Sequence, residues 1–157
     1  MGTFSKREGQ TLIETAFVLF LLLLILLGIT EFSRAWYTKN SLKNAARQGA
    51  RVAAVTPVGS FPSENPFTCD TSTTCANPNA IINAVCCQPG IPKQDSGTSV
   101  TLICKDLSGT KACSDVTSGD EIEVSTSSTF TFIIGNSPWP WSKSMDFTTN
   151  ASMRYEG

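Results

Sequence analysis

The sequence predicts an α+β protein: one long N-terminal transmembrane helix whose projecting half packs on a small antiparallel β-sheet, stapled by disulfides. Three observations carry that expectation. An unbroken apolar run extends from Ala16 to Ile29, six cysteines all lie beyond it, and three later stretches alternate apolar and polar residues with period 2. A chain of 157 residues holds one modest domain plus an anchoring segment. Net charge is −1, without a polybasic or nucleic-acid signature, so no nucleic-acid partner is expected. Histidine is missing from the sequence. That excludes His-based triads, imidazole general acid–base work and His metal sites, so no catalytic residue, metal or cofactor is expected.

The front segment has three readings. Lys6 and Arg7 give a basic start for a secretory signal, and the apolar run fits its usual length of about 7–15 residues. The stretch after Gly28, "ITEFSRAWYTKN", is a poor small-x-small cleavage site. A plain transmembrane helix needs about 20 mostly apolar residues. Thr11 to Phe32 supplies them if Glu14 and Glu31 lie near the two interfaces. Neither reading explains Glu14. A carboxylate in the bilayer costs about 2.5–3.5 kcal/mol on insertion scales, so it tends to be there for a reason.

The stretch "KREGQTLIE" resembles the processing site of type IV prepilins and pseudopilins: a short basic leader, Gly9, a polar residue, and Glu14 as the fifth residue after the glycine. That resemblance implies a leader over residues 1–9 recognised through Lys6, Arg7 and Glu14. It also implies a cut between Gly9 and Gln10 by a membrane prepilin peptidase, with the apolar helix over residues 10–32 retained. In that family the residue like Glu14 pairs with the new N-terminal amine of a neighbouring subunit. An α-amine has an ordinary pKa of about 8, and such a pair is worth most where water is scarce. A misregistered neighbour would leave both charges unpaired, so the pair could select axial register. The competing reading is an interfacial Glu that snorkels at a helix end.

Topology carries a conflict. Lys6 and Arg7 flank the apolar run on one side; Arg34, Lys39, Lys43, Arg47 and Arg51 flank it on the other. Counting positive charges alone would place the C-terminal side in the cytoplasm. The cysteines call for an oxidising compartment there. The cysteines and the processing pattern outweigh the count. The expected placement is a single pass in a bacterial inner membrane, N-terminus cytoplasmic and C-terminal domain periplasmic or extracellular. Trp36 and Tyr37 suit the outer interface.

Beyond the apolar run, residues 33–55 contain no proline and many helix formers. One helix from Gln10 to Val55 would be about 69 Å long at 1.5 Å per residue, against about 30 Å of hydrocarbon. Lys39, Lys43, Arg47 and Arg51 recur at i+4 and form a basic ridge. The ridge is either a solvated face or a contact for an acidic partner or anionic lipid. Leu42, Ala45, Gly49, Val52 and Ala53 form a small-residue face expected to pack on the chain's own sheet.

Residues 56–97 read as a turn-rich, Cys-rich connection with one short helix, for which Asn77 serves as N-cap and Pro78 as first residue. That helix would turn Ile81, Ile82 and Val85 inward and deliver Cys86 and Cys87. Residues 98–157 hold the strands. "TSVTLICKDL" turns Val100, Leu102 and Cys104 to one face. "EIEVSTSSTFTFII" does so with Ile122, Val124, Phe130, Phe132 and Ile134, with Thr126 and Ser128 between them. "SMDFTTNASMRY" does so with Met145, Phe147, Thr149, Ala151, Met153 and Tyr155. One covered face implies an antiparallel sheet.

An even cysteine count in a Ser/Thr-rich domain favours disulfides over zinc. Cys104 and Cys113 flank a Ser-Gly turn and are the best single pair. Adjacent Cys86 and Cys87 do not readily bond each other, which leaves them for Cys69 and Cys75, although fifteen connectivities are formally open. "GNSPWPWSK" sets Trp139 and Trp141 between prolines, either as a contact loop or as a cap on the sheet's own edge. Asn150 heads an Asn-Ala-Ser sequon of little weight within a strand.

The stretch "GQTLIETAFVLFLLLLILLGITEFSRAWYTKNSLKNAARQGARVAA" resembles the N-terminal signature of TadE-like proteins, minor pseudopilins of tight-adherence (Tad/Flp) systems. "TEF" and "AARQGAR" are its most specific parts, and the closing "ASMRYE" is similar to the end of that family, so that the resemblance also takes in Asp120–Glu156. The resemblance implies a component that helps build or prime an adhesive pilus, with prepilin peptidase, sister pilins and the lipid bilayer as partners. Alternatives are a pseudopilin of a type II-like secretion system, an uncleaved signal-anchored envelope binding protein, and, least supported, a cysteine-based or metal enzyme.

Overall fold

The computed structural model describes residues 6–71, 75, 77–92, 97–132 and 144–157, with side chains from Gly9 onward. The chain divides into two compact units, Met1–Ala35 and Trp36–Gly157. The first is helical throughout its described part and belongs to helix α1, Lys6–Val55. The helix starts before Gln10, so the Gly9–Gln10 peptide lies within it. A single interior glycine costs only about 1 kcal/mol relative to alanine, and the basic residues before it favour helix. Pro57 ends α1, because the residue before a proline is driven out of the helical region. The last turn is closed by the Thr56 hydroxyl, which donates to the Val52 carbonyl at 2.7 Å.

In the second unit α1 turns a narrow stripe inward. Ser41, Leu42, Ala45, Ala46, Gly49, Ala50, Ala53 and Ala54 are buried, recurring at i, i+1, i+4 and i+5. Val52, expected on this face, is half-buried at its margin. Small side chains let the helix approach closely. A Cβ added at Gly49 would lie 2.5 Å from Val85 Cγ2 and 3.3 Å from Val124 Cγ1.

The stripe covers a five-stranded sheet of β1 (Phe67–Cys69), β2 (Thr98–Asp106), β3 (Gly109–Lys111), β4 (Glu121–Thr131) and β5 (Ser144–Arg154). The strand order is β1-β2-β4-β5, with β3 also on β2, and every described pairing is antiparallel. Alternation places Val100, Leu102 and Cys104 of β2 and Ile122, Val124, Thr126, Ser128 and Phe130 of β4 inside. The buried Thr126 hydroxyl meets Thr149 Oγ1 at 2.9 Å and the Leu42 carbonyl at 3.3 Å, tying β4 to both β5 and α1.

Three expectations need correction. On β5, Phe147, Thr149 and Ala151 are half-buried, but Met145 and Met153 are exposed, because the ends of this edge strand outrun the core. Strand β4 ends at Thr131; Phe132 lies just past it and Ile134 is outside the described residues. Helix α2 spans Ala80–Cys86 with Asn79, not Asn77, as its N-cap. Asn79 Oδ1 accepts from the Ile81 and Ile82 N–H groups at 3.0 and 3.2 Å, satisfying two donors at once. Asn77 instead accepts from the Asn79 N–H at 2.9 Å, just ahead of the helix. This start keeps Ile81 and Val85 on the buried face.

Strands β1 and β3 occupy the same edge of β2 and leave a gap between them. Asn65 fills it. Its amide donates to the Leu102 carbonyl at 2.7 Å and accepts from the Leu102 N–H at 2.9 Å. One side chain thus supplies the rung that neither short strand reaches.

All six cysteines are paired: Cys69–Cys86, Cys75–Cys87 and Cys104–Cys113. The first joins β1 to α2, the second ties the connection to the end of α2, and the third closes the β2–β3 hairpin. Cys69, Cys86 and Cys104 are fully buried and belong to the core. In a domain this small each such bridge is worth about 2–4 kcal/mol.

Candidate functional site

Gly9, Gln10 and Glu14 lie on one continuous stretch of α1 and are exposed. Every apolar side chain from Leu12 to Ile29 is exposed as well, so none of the described residues buries this belt. The helix is long and apolar enough to cross a membrane. Lys6 and Arg7 open its first turn. At the far end of the belt Glu31 is buried, and Arg34 Nη1 donates to its Oε2 at 3.1 Å and its Oε1 at 3.3 Å. This i, i+3 pair holds a carboxylate beside the apolar belt. Its signal in the sequence is the spacing of Glu31 and Arg34 after the run.

Lys39, Lys43, Arg47 and Arg51 are all exposed, outside the buried stripe of α1. None forms an ion pair among the described residues. Like charges at i+4 destabilise a helix by about 0.2–0.5 kcal/mol per pair, so this ridge costs the isolated chain something. Trp139 and Trp141 fall outside the described residues.

The cations of the sheet behave differently. Lys105 pairs with Glu123, whose other oxygen accepts from Asn150 Nδ2 at 2.6 Å. Lys111 pairs with Asp120. The Lys105 ammonium, followed by the Asn150 amide, holds the Glu123 carboxyl below its usual range, and Glu123 in turn raises Lys105. The hydrogen bond from Lys111, helped by the Thr117 N–H, lowers Asp120 to about 2.

These shifts make stability depend on pH. The unfolded Asp titrates near 3.9, above the folded value, so the Asp120 contribution is complete above about pH 4 and fades as pH falls toward 2. Glu123 acts with the same sign. Asp120→Asn should flatten the fall of Tm between about pH 4 and pH 2 while leaving its shape near neutrality unchanged. Thermal melts of the full chain across that range check it.

These features define a class: an N-terminal helix that fits a single-pass membrane anchor, followed by a small disulfide-stapled α+β domain. Residues 9–51 match the family described as TadE-like protein. The match spans Gly9, Gln10, Glu14, the Glu31–Arg34 pair and the whole basic ridge, and stops before the sheet. The resemblance over Asp120–Glu156 lies outside it. The match supports a component associated with a Tad pilus. No curated protein and no solved structure matches the chain.

Proposed function

We propose that this chain is a minor pseudopilin of a Tad/Flp pilus, placed in a bacterial inner membrane with its disulfide-bonded domain on the periplasmic side. In this reading a prepilin peptidase removes residues 1–9, recognising Lys6, Arg7, Gly9 and Glu14. The apolar helix then bundles with those of other pilins. The carrying observation is Glu14 itself. It is a carboxylate at the start of an otherwise apolar, fully exposed belt, one helical turn beyond the Gly9–Gln10 peptide, inside the TadE-like match. The amine exposed at Gln10 supplies its counter-charge on an adjoining subunit. Away from water, an unpaired charge of either sign is disfavoured by several kcal/mol.

The test is made in cells carrying the peptidase and the pilus. N-terminal sequencing should give a chain beginning at Gln10. Gly9→Ala should leave the leader in place. Glu14→Gln should lower incorporation into sheared pili by at least about tenfold, equivalent to about 1.4 kcal/mol of selection. An intact Met1, with indifference to both substitutions, would leave the chain as an uncleaved envelope anchor.

A further inference from the structure

The three bridges differ in what can reach them. Disulfide exchange needs a thiolate to approach one sulfur of the bond, so a bridge buried at both halves is protected whatever reductant surrounds it. Cys69 and Cys86 are both fully buried. Cys104 is fully buried and its partner Cys113 is half-buried. Cys75–Cys87 has no buried half: Cys87 is half-buried and Cys75 is exposed. The contrast between the neighbours Cys86 and Cys87 comes from helix phase, since adjacent residues stand about 100° apart around a helix. Cys86 joins Ile81 and Val85 on the buried face of α2, whereas Cys87 is the C-cap of that helix and lies at its margin.

The surroundings of the exposed bridge are held independently of it. Cys69–Cys86 fixes α2 to β1. The Asn79 amide donates to the Ser60 carbonyl at 2.9 Å, and the Asn83 amide donates to the Asn77 carbonyl at 2.6 Å. The Cys87 N–H donates to the Asn83 carbonyl at 3.1 Å. None of these contacts passes through the Cys75–Cys87 bond.

We propose that Cys75–Cys87 is a thiol-exchange site, at which an external thiol opens the bridge and becomes bonded to Cys75 while the domain stays folded. The external thiolate forms a bond to Cys75 Sγ. The Cys75–Cys87 bond breaks, and its electron pair leaves on Cys87 Sγ, which takes a proton from water. With a monothiol the product is a mixed disulfide on Cys75 and a thiol on Cys87. With a dithiol, the second thiolate attacks the mixed disulfide at the reagent's own sulfur. The dithiol departs as a disulfide, oxidised by two electrons, and Cys75 and Cys87 are left as two thiols. Burial closes the same route to Cys69–Cys86 unless the domain unfolds. The inference does not rest on the assembly reading, on Glu14 or on leader removal.

The experiment treats the full chain in detergent, without denaturant, with glutathione or with dithiothreitol. Samples are quenched with iodoacetamide at intervals and mapped by peptide mass spectrometry. Glutathione should appear first on Cys75, with the alkyl group on Cys87 and the near-UV circular dichroism unchanged. Dithiothreitol should expose Cys75 and Cys87 at least about tenfold faster than Cys104 and Cys113, and about a hundredfold faster than Cys69 and Cys86, the spread expected between local access and global opening. Cys75→Ser with Cys87→Ser should keep the near-UV spectrum and lose the fast phase of glutathione uptake. First labelling at Cys104 or Cys113 overturns the proposal, as does glutathione chiefly on Cys87. So does the appearance of all six cysteines together, or loss of the near-UV signal in step with Cys75, because the bridge would then open only with the domain. A bridge inert to both reagents overturns it as well. The measurement involves neither peptidase nor pilus, so its failure leaves the Glu14 reading standing, and the reverse also holds.

Discussion

Tyr155→Ala is expected to destabilise the sheet-bearing unit by about 3–5 kcal/mol, the range for truncating a buried aromatic side chain. Tyr155 is almost fully buried immediately after β5. Its hydroxyl donates to the Thr56 carbonyl at 3.1 Å, just beyond the end of α1. Its backbone N–H donates to the Asp120 carbonyl at 2.7 Å, and its carbonyl accepts from the Gly119 N–H at 2.9 Å. The next residue, Glu156, donates its N–H to the Ala54 carbonyl at 2.9 Å. One residue thus fastens the end of β5 to both the start of β4 and the end of the helix. Tyr155→Phe keeps the ring, including its tilted contact with Phe61 at 6.4 Å between centroids, and loses only the hydroxyl bond. Its cost should be near 1 kcal/mol, on the order of ~1 for one hydrogen bond. Denaturant melts of the full chain in detergent, followed by near-UV circular dichroism, separate the two values.

Gly49 should be almost as sensitive, in the opposite sense. Gly49→Ala gains about 1 kcal/mol of helix propensity but pushes a methyl to within 2.5 Å of Val85 Cγ2. Val85 and Val124 are both fully buried and β-branched, so neither side chain swings away easily. Overpacking costs about 1–3 kcal/mol, which outweighs the helix gain. Gly49→Leu should cost more than about 3 kcal/mol by prising α2 and β4 off the helix. The diagnostic is a double-mutant cycle. Val85→Ala opens the space that the new methyl needs, so Gly49→Ala with Val85→Ala should be less destabilised than the sum of the single changes. Strict additivity would mean that the close approach is not what makes glycine matter here.

The long elements are legible in the sequence because each repeats its signal many times. The apolar run, the i+4 cations and the small-residue stripe mark α1, and alternation marks β2, β4 and β5. The five-residue offset from Gly9 to Glu14 singles out the front of the helix, and the family match covers the same stretch. The features hidden from the sequence are short or depend on distant partners. β1 and β3 are three residues each, too brief for alternation to register. The α2 start moves to Asn79 because two asparagines compete for one cap, and only the burial of Ile81 and Val85 decides between them. Met145 and Met153 keep the strand period but lie beyond the extent of the core. The Tyr155 clamp joins residues that no local pattern relates.

The Asn65 amide has a consequence for how safely this domain can be handled at high concentration. An open rung on a sheet margin is a template for a foreign strand, and adventitious pairing of that kind seeds aggregates. By sealing the interval that β1 and β3 leave at Leu102, Asn65 removes the foothold from that margin of β2. That interval is thereby closed to a strand from a neighbouring chain.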